Sequence, residues 1–465
     1  MSKRKDNKKK RSKRNYTKAN YSHNKINHQA TSINLVSFFC YTMLLGITIT
    51  LVFLFISHGN IISKMFFSDT LDTGMDFFHS IEYTRGRDPY DYWRTLYPPL
   101  ANLCFYLLFR LIPLDVSSAW ASDFSSGVQA RGTFADLRVQ QAPMLLFIIF
   151  IILTATLMMV MIQKYLFDNL QACLVGLCMI FSYGMLYAYE RGNIIIVSML
   201  CSMFFVLYKD STNKIVSELA LIALAFAAGL KLYPALFGIL LLYDHQYQKA
   251  IRTLIYGILL FFIPVFAFHG GISNIPIFLE VLFSHASTGV VSAIGYSFDK
   301  IITSICLLVD GLTGCGINEK LLIEVIPSFN IVVAILMLLS GFLLKKYWQR
   351  VLVCVTAMLL YSSQGRYALI FLLIPILVML KNEKELTRNN VVPFVFLVLS
   401  QMLLPVFDIN GSSLYMIYGR IQICMFVLTL YIVLEFSQQA YFLLKGTCLL
   451  EKIRNRKLFK FSKKK

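Results

Sequence analysis

Apolar residues fill long blocks between residue 35 and residue 436, and short polar stretches separate the blocks. The pattern predicts helices at 35–57, 99–114, 143–163, 170–188, 193–208, 216–243, 252–268, 329–345, 351–362, 367–381, 391–407 and 414–436. Helix is the expected form, because a segment in lipid must satisfy its backbone polar groups within itself, and crossing roughly 30 Å of hydrocarbon takes about 20 residues. The expected fold class is an all-α polytopic membrane protein with about 12 transmembrane helices, an even count. Two intervals between blocks are long, 58–98 and 269–328. Stretches such as "IPIFLEVLFSH" (275–285) predict that they hold short helices lying at the membrane interface.

Composition strengthens this picture: 57% of residues are hydrophobic and 15% are charged, against about 25% charged in an average soluble protein. The net charge of +19 sits at the ends, with +10 in residues 1–30 and +8 in residues 445–465. Basic clusters beside membrane helices stay on the cytoplasmic side and attract anionic lipid. Residues 1–34 and 437–465 are therefore expected as basic cytoplasmic tails of a multi-pass protein of the cell membrane, flanking a transmembrane domain at 35–436. The tails lack interleaved aromatics or a folded basic domain, so no nucleic-acid partner is expected. The block from Leu35 to Ser57 is too long for the apolar core of a signal peptide and is expected as an uncleaved first span.

In the second half, "DHQYQKAIR" (244–252), "KKYWQR" (345–350) and "KNEKELTRNN" (381–390) fall on alternate, cytoplasmic loops, which places 269–328 outside. In the first half a simple count leaves Lys164, Lys209 and Lys214 outside. Either 99–114 is re-entrant or the charge bias is weak there. The ten cysteines show no C-x-x-C spacing and most lie in apolar runs. Cys306 and Cys315 fall in one outer loop, where pairing is open.

Chemistry concentrates in two places. The first outer loop contains "GMDFFHSIEYTRGRDPYDYW" (74–93), and on a helix Asp76, His79 and Tyr83 share one face, which would aim a carboxylate at the headgroup layer. Asp72, Glu82 and Asp91 read as solvated loop carboxylates. Asp88 precedes Pro89 and suits a turn, or a contact to sugar. Tyr90, Trp93 and Tyr97 suit interfacial anchoring, or stacking on a sugar or prenyl chain. The second place is Lys231, inside an apolar block where an ammonium costs roughly 2.5–3.5 kcal/mol on insertion scales and is functional by default. Pro234 breaks the helix beside it and frees backbone groups to line a cavity. Arg191 and Arg366 carry fork-shaped donors suited to phosphate oxygens, with snorkelling as the competing reading. His79 and His285 have no third ligand spaced to help them, and neither metal nor other cofactor is expected.

The order of Asp76, Tyr83, Gly86, Asp88, Pro89, Tyr90, Tyr97, Pro98, Pro99 and Leu100 after the first helix resembles the polyprenyl-phosphate-dependent glycosyltransferases of family 87, which include bacterial mannosyltransferases acting on glycolipids. "YERGNIIIVSML" (189–200) and the Lys-x-Tyr-Pro of "AAGLKLYPALFGILLLYDHQYQKA" (227–250) are similar to later stretches of that family. The chain departs from the pattern at "SSQGRYALIFLLIP" (362–375), where many members carry a Trp and paired histidines and this chain has Gln364, Gly365 and Arg366. The resemblance implies a GT-C-type bundle whose site opens to the outer face and a polyprenyl-phosphate sugar as donor. It further implies an inverting displacement with Asp76 as general base, the acceptor being an envelope glycolipid or glycopolymer. On this reading Lys231, Arg191 and Arg366 meet the donor phosphate, and Tyr83, Asp88, Tyr90, Tyr233 and His79 bind substrate. Two other readings stay open. A transporter or flippase of a lipid-linked saccharide predicts paired ionisable groups near the midplane and symmetric broken helices. A structural scaffold gives no reason for a charged loop above an intramembrane lysine.

Overall fold

The computed structural model describes residues 33–67, 72–113, 136–166, 169–285, 294–316, 318, 320–362, 365–408 and 412–446. Most of both basic tails, Gln364 and the side chain of His285 lie outside the described residues. Among the described residues the chain is helical with no strand, and an isolated antiparallel bridge joins Asn34 to Glu385. The order begins with α1 (Leu35–Ile56), α2 (Asn60–Phe66), α3 (Met75–Tyr83) and α4 (Pro99–Phe109). Then come α5 (Gln141–Leu166), α6 (Asn169–Ile180), α7 (Tyr183–Arg191), α8 (Ile195–Tyr208) and α9 (Lys214–Leu230). A 3-10 stretch, Tyr233–Gly238, leads into α10 (Ile239–Tyr243), followed by α11 (Tyr247–Val265), α12 (Asn274–His285), α13 (Phe298–Thr313), α14 (Phe329–Ser340) and α15 (Tyr347–Tyr361). A second 3-10 stretch, Arg366–Leu372, precedes α16 (Leu373–Asn382), α17 (Val391–Gln401) and α18 (Leu414–Gly446).

Five stretches are long and apolar enough to cross a membrane: α1, α5, α11, Leu321–Ser340 and Leu414–Lys445. The pair α6 and α7, bent by 56°, makes a sixth as one broken span. Their outward side chains, such as Leu153 on α5, Ile258 on α11 and Leu434 on α18, are large, apolar and exposed. Such faces mark the chain as membrane-embedded. Helices that are apolar on every side belong in the interior. Accordingly α15 is buried from Trp348 to Leu360 and α16 from Leu373 to Leu380, with α8 beside them.

Polar contacts gather the connections at two ends. At one end Leu35 donates its backbone N–H to Lys384 O (3.1 Å), Lys381 lies over the Tyr165 ring (5.5 Å), and Lys346 pairs with Glu383 (2.6 Å). Asp244 binds both Lys209 (2.6 Å) and Arg350 (2.8 Å) there. At the other end Lys64 pairs with Asp408 (2.6 Å), Arg87 donates to Ala267 O (2.7 Å) and Gln422 to Gly295 O (2.8 Å).

These contacts correct two of the expected spans. The stretch 99–114 does not pass between the ends: α4 has only 11 residues, its terminal Phe109 lies under Arg85 (5.9 Å), and Arg138 returns to Thr73 O (3.1 Å). The Pro-Pro start permits a helix from Pro99, and Pro113 prevents its extension beyond Ile112. The single helix expected at 216–243 is broken, because α9 ends at Leu230 and the Tyr233–Tyr243 segment carries the chain back to Asp244, which binds Lys209 before α9. With both corrections Lys209 and its neighbours join the end that holds 244–252, 345–350 and 381–390. The short helices expected in 58–98 and 269–328 are present as α2, α3, α12 and α13, and Cys306 and Cys315 are free thiols.

Lys209 is fully buried, held by Asp244 and Asp210 and capped by the Tyr347 ring at 5.2 Å. Removing one carboxylate from a buried ammonium leaves it under-paired, a change worth about 1–3 kcal/mol. Asp244→Asn is expected to lower unfolding stability by that amount in denaturing mixed micelles. An unchanged midpoint would show that the cluster does not hold this end together.

Candidate functional site

The site is built on the stop and start signals around residue 192. The last turn of α7 closes with a Schellman pattern: Gly192 N–H donates to Tyr189 O (3.0 Å) and Asn193 N–H to Ala188 O (3.1 Å), with Gly192 at φ +66°. A Cβ there would also lie 2.7 Å from Phe77 Cβ, so only glycine lets α3 approach so closely. Asn193 then starts α8, its Oδ1 accepting the Ile195 N–H (2.9 Å). That orientation leaves its Nδ2 pointing at α3.

Asp76, on the first turn of α3, receives both groups. Asn193 Nδ2 donates to its Oδ2 at 2.7 Å, Arg191 Nη2 to its Oδ1 at 3.0 Å, and Arg191 Nε to Oδ2 at 3.4 Å. Arg191 also donates to Asp72, both to its carboxylate and to its backbone O at 3.0 Å. The chain before α3 is tied to the same place, since Gly74 N–H donates to Glu190 O (2.8 Å) and Thr73 Oγ1 to Glu190 Oε1 (2.8 Å). The other Glu190 oxygen is buried without a hydrogen-bond partner. A carboxylate has about four lone-pair directions. Three contacts therefore leave the Asp76 side chain, 21% exposed, one direction open for a hydroxyl.

Lys231 lies opposite. It is the extended residue after α9, and Pro234 keeps the chain in a 3-10 turn rather than returning it to the helix. Among the described residues its Nζ has no carboxylate at ion-pair distance. Instead it lies 4.1 Å from the Tyr97 ring centroid and 5.7 Å from that of Tyr367. The Asp76 carboxylate is close enough to act electrostatically on Lys231, Tyr97 and Tyr367. The Tyr233 hydroxyl is buried beside them with no hydrogen-bond partner among the described residues, and its ring meets Phe371 edge-on at 5.8 Å. An apolar groove of about 540 Å³ opens from Leu232 and Ala235 along α9 and α11, past Leu224, Leu254, Ile258 and Phe262.

The expected site residues thus fall into three groups. Asp76, Arg191, Lys231 and Tyr233 converge; Arg191, expected at a phosphate, here also orients Asp76. His79 and Tyr83 stand at the edge of this group, stacked at 5.4 Å, with Trp93 stacked on Tyr83 at 4.6 Å. Arg366 lies one tyrosine further away, its Cζ 4.0 Å from the Tyr187 ring centroid, and Tyr187 stacks on Tyr367 at 6.4 Å. Asp88 has no hydrogen bond or ion pair among the described residues. Tyr90 is a correction: it is buried between Phe268 and Phe278 with its hydroxyl donating to Tyr97 O (3.1 Å), so it shapes the loop and is not open to substrate. Reading the sequence missed Asn193, Tyr187 and Tyr367, and took the buried Glu82 for a solvated carboxylate; the Asp72 side chain is 42% exposed, as expected, yet paired with Arg191. The Arg-Gly-Asn order was the available signal, because glycine ends one helix and asparagine caps the next.

No family model, curated protein or solved structure matches the chain. The resemblance to family 87 rests on the residues quoted for it.

Glu82 is 6% exposed, and burial pushes its carboxyl up to about 7, with Arg85 at 3.4 Å opposing the rise. The folded protein then holds a proton that the unfolded chain, titrating near 4.5, has released. Stability from this group is full below about pH 4.5 and is lost as pH rises through about 7. Glu82→Gln is expected to flatten the fall in melting temperature between pH 5 and pH 8; an equal fall in both proteins would contradict the burial of this carboxyl.

Proposed function

We propose that the protein is an integral-membrane glycosyltransferase that moves a hexose from a polyprenyl-phosphate donor to an envelope glycolipid or glycopolymer on the outer face. One observation carries the reading: a carboxylate fixed by Arg191 and Asn193, with one lone-pair direction open, lies within electrostatic range of an ammonium that has no ion-pair partner among the described residues and directly precedes Leu232, where an apolar groove begins. Asp76 takes the proton of the acceptor hydroxyl as its oxygen attacks the anomeric carbon. The bond from that carbon to the phosphate oxygen breaks, and the prenyl phosphate leaves with the electron pair, inverting the centre. Charge-assisted hydrogen bonds keep the base in one orientation. Lys231, with Arg366 further along the tyrosine row, supplies positive charge for the leaving phosphate, and the groove beside Lys231 receives the prenyl chain. His79, Tyr83 and Tyr233 border the sugar, and Asp88 lies at the loop surface.

The proposed topology has twelve crossings, with α4 lying in the outer layer and Tyr233–Tyr243 counted as a pass. Both ends of the described chain then lie with the lysine-rich connections, which supports a cytoplasmic position for the tails. On this reading the chain is a GT-C-type bundle in the cell membrane with its site outward. A flippase would need a path to the opposite end, where Lys209, Asp244 and Arg350 fill the interior with paired charge.

The test is transfer in vesicles from radiolabelled polyprenyl-phosphate hexoses to envelope glycolipids. Asp76→Asn keeps the size and removes the base, and is expected to lower turnover about 10²–10⁴-fold while the protein stays folded. Full activity of that variant would overturn the assignment of the base.

A further inference from the structure

Buried cations elsewhere in the protein have carboxylate partners: Lys209 and Arg350 share Asp244, Arg138 pairs with Asp136 at 2.8 Å, and Arg191 pairs with Asp76 and Asp72. Lys231 and two arginines break the rule. Arg366 is 5% exposed and donates Nη1 to the backbone O of Met65 and to the hydroxyl of Tyr183, both at 3.1 Å. Arg420, on α18, donates Nη1 to Met402 O at 2.9 Å, with its Cζ 5.1 Å from the Tyr183 ring centroid. Its Nε is shut off from solvent and makes no hydrogen bond among the described residues. Among the described residues neither arginine has a carboxylate at ion-pair distance. Glu190 acts on Arg366 only through space while accepting from Thr73.

We propose that Arg366 and Arg420, on either side of Tyr183, form an anion site for a phosphate ester carried on a membrane lipid. Each guanidinium has five N–H donors, and the protein engages few of them, so a ligand with several acceptor oxygens is what completes the pair. Leaving buried charge unpaired is costly, and the planar fork of arginine matches phosphate oxygens two at a time. The depth fits a lipid-borne ligand: Arg420 lies six residues below Leu414, the first residue of α18, about 9 Å along a helix axis. The site is continuous with Asp76 and Lys231 through the stacked rings of Tyr183, Tyr187 and Tyr367. The inference relies on the transferase reading only for which lipid brings the phosphate, the leaving donor or a phosphate-bearing acceptor.

Binding of farnesyl phosphate and, separately, of dioleoyl phosphatidate to the full protein in detergent tests it at fixed ionic strength. Arg366→Gln and Arg420→Gln are each expected to weaken binding of one probe at least tenfold, and Arg420→Lys, which keeps the charge and loses the fork, less so. Loss confined to farnesyl phosphate assigns the site to the donor, and loss confined to phosphatidate assigns it to an acceptor headgroup. Unchanged affinity for both probes in every arginine variant overturns the proposal. If Arg420→Gln does not fold, Arg420→Lys carries the comparison. Failure of the transferase reading appears in a separate measurement, undiminished transfer by Asp76→Asn.

Discussion

The carboxylate of Asp76 is held by groups from a helix end and a helix start that meet at residue 192. Arg191 closes α7 and Asn193 opens α8, so the two groups that fix the carboxylate are themselves fixed by the backbone of the bundle. The loop that carries α3 docks on the bundle through this contact, the Gly74 and Thr73 hydrogen bonds to Glu190, and the contact of Phe77 with Gly192. A polar loop would otherwise gain little by lying on an apolar bundle. Here charge-assisted bonds in a partly dry setting hold it in register over Lys231.

Buried positive charge has two fates in this protein. At the end that gathers 209, 244 and 350, Lys209 and Arg350 meet carboxylates, and the result is a closed, structural cluster. At the other end Lys231, Arg366 and Arg420 lie among tyrosine rings and backbone carbonyls. Ring faces attract cations but do not neutralise them. The same physics that leaves one end paired within itself leaves the other, on the proposed reading, suited to an anion. The asymmetry gives the bundle a direction that its apolar composition alone does not.

Much of this was legible in the sequence, for reasons that differ by element. Long apolar blocks such as 143–163 and 414–436 reappear as α5 and α18, because a lipid-spanning helix carries its whole signal in local composition. The errors at 99–114 and 216–243 come from the same source: hydropathy measures apolar length and says nothing of where the chain turns back. Pro234 was visible as a break, yet only tertiary contacts show that the segment after it returns to Asp244. Asp76 and Lys231 stood out as charges in unusual settings, whereas Arg420 lay within a long span beside several polar residues. Glu82 looked solvated because burial of a short loop helix depends on what covers it, which local sequence does not show; Asp72 keeps a partly exposed side chain and is nonetheless engaged by Arg191.

The most direct test of the central claim, that Asp76 and Lys231 face one donor molecule, is a structure of the Asp76→Asn variant in a lipid nanodisc with a polyprenyl-phosphate hexose bound. The account expects the phosphate beside Lys231, the prenyl chain in the groove of α9 and α11, and the anomeric carbon facing residue 76 with space for a hydroxyl between them. A donor seated with its sugar turned away from residue 76, or with its phosphate at the end that holds Lys209 and Asp244, would contradict it.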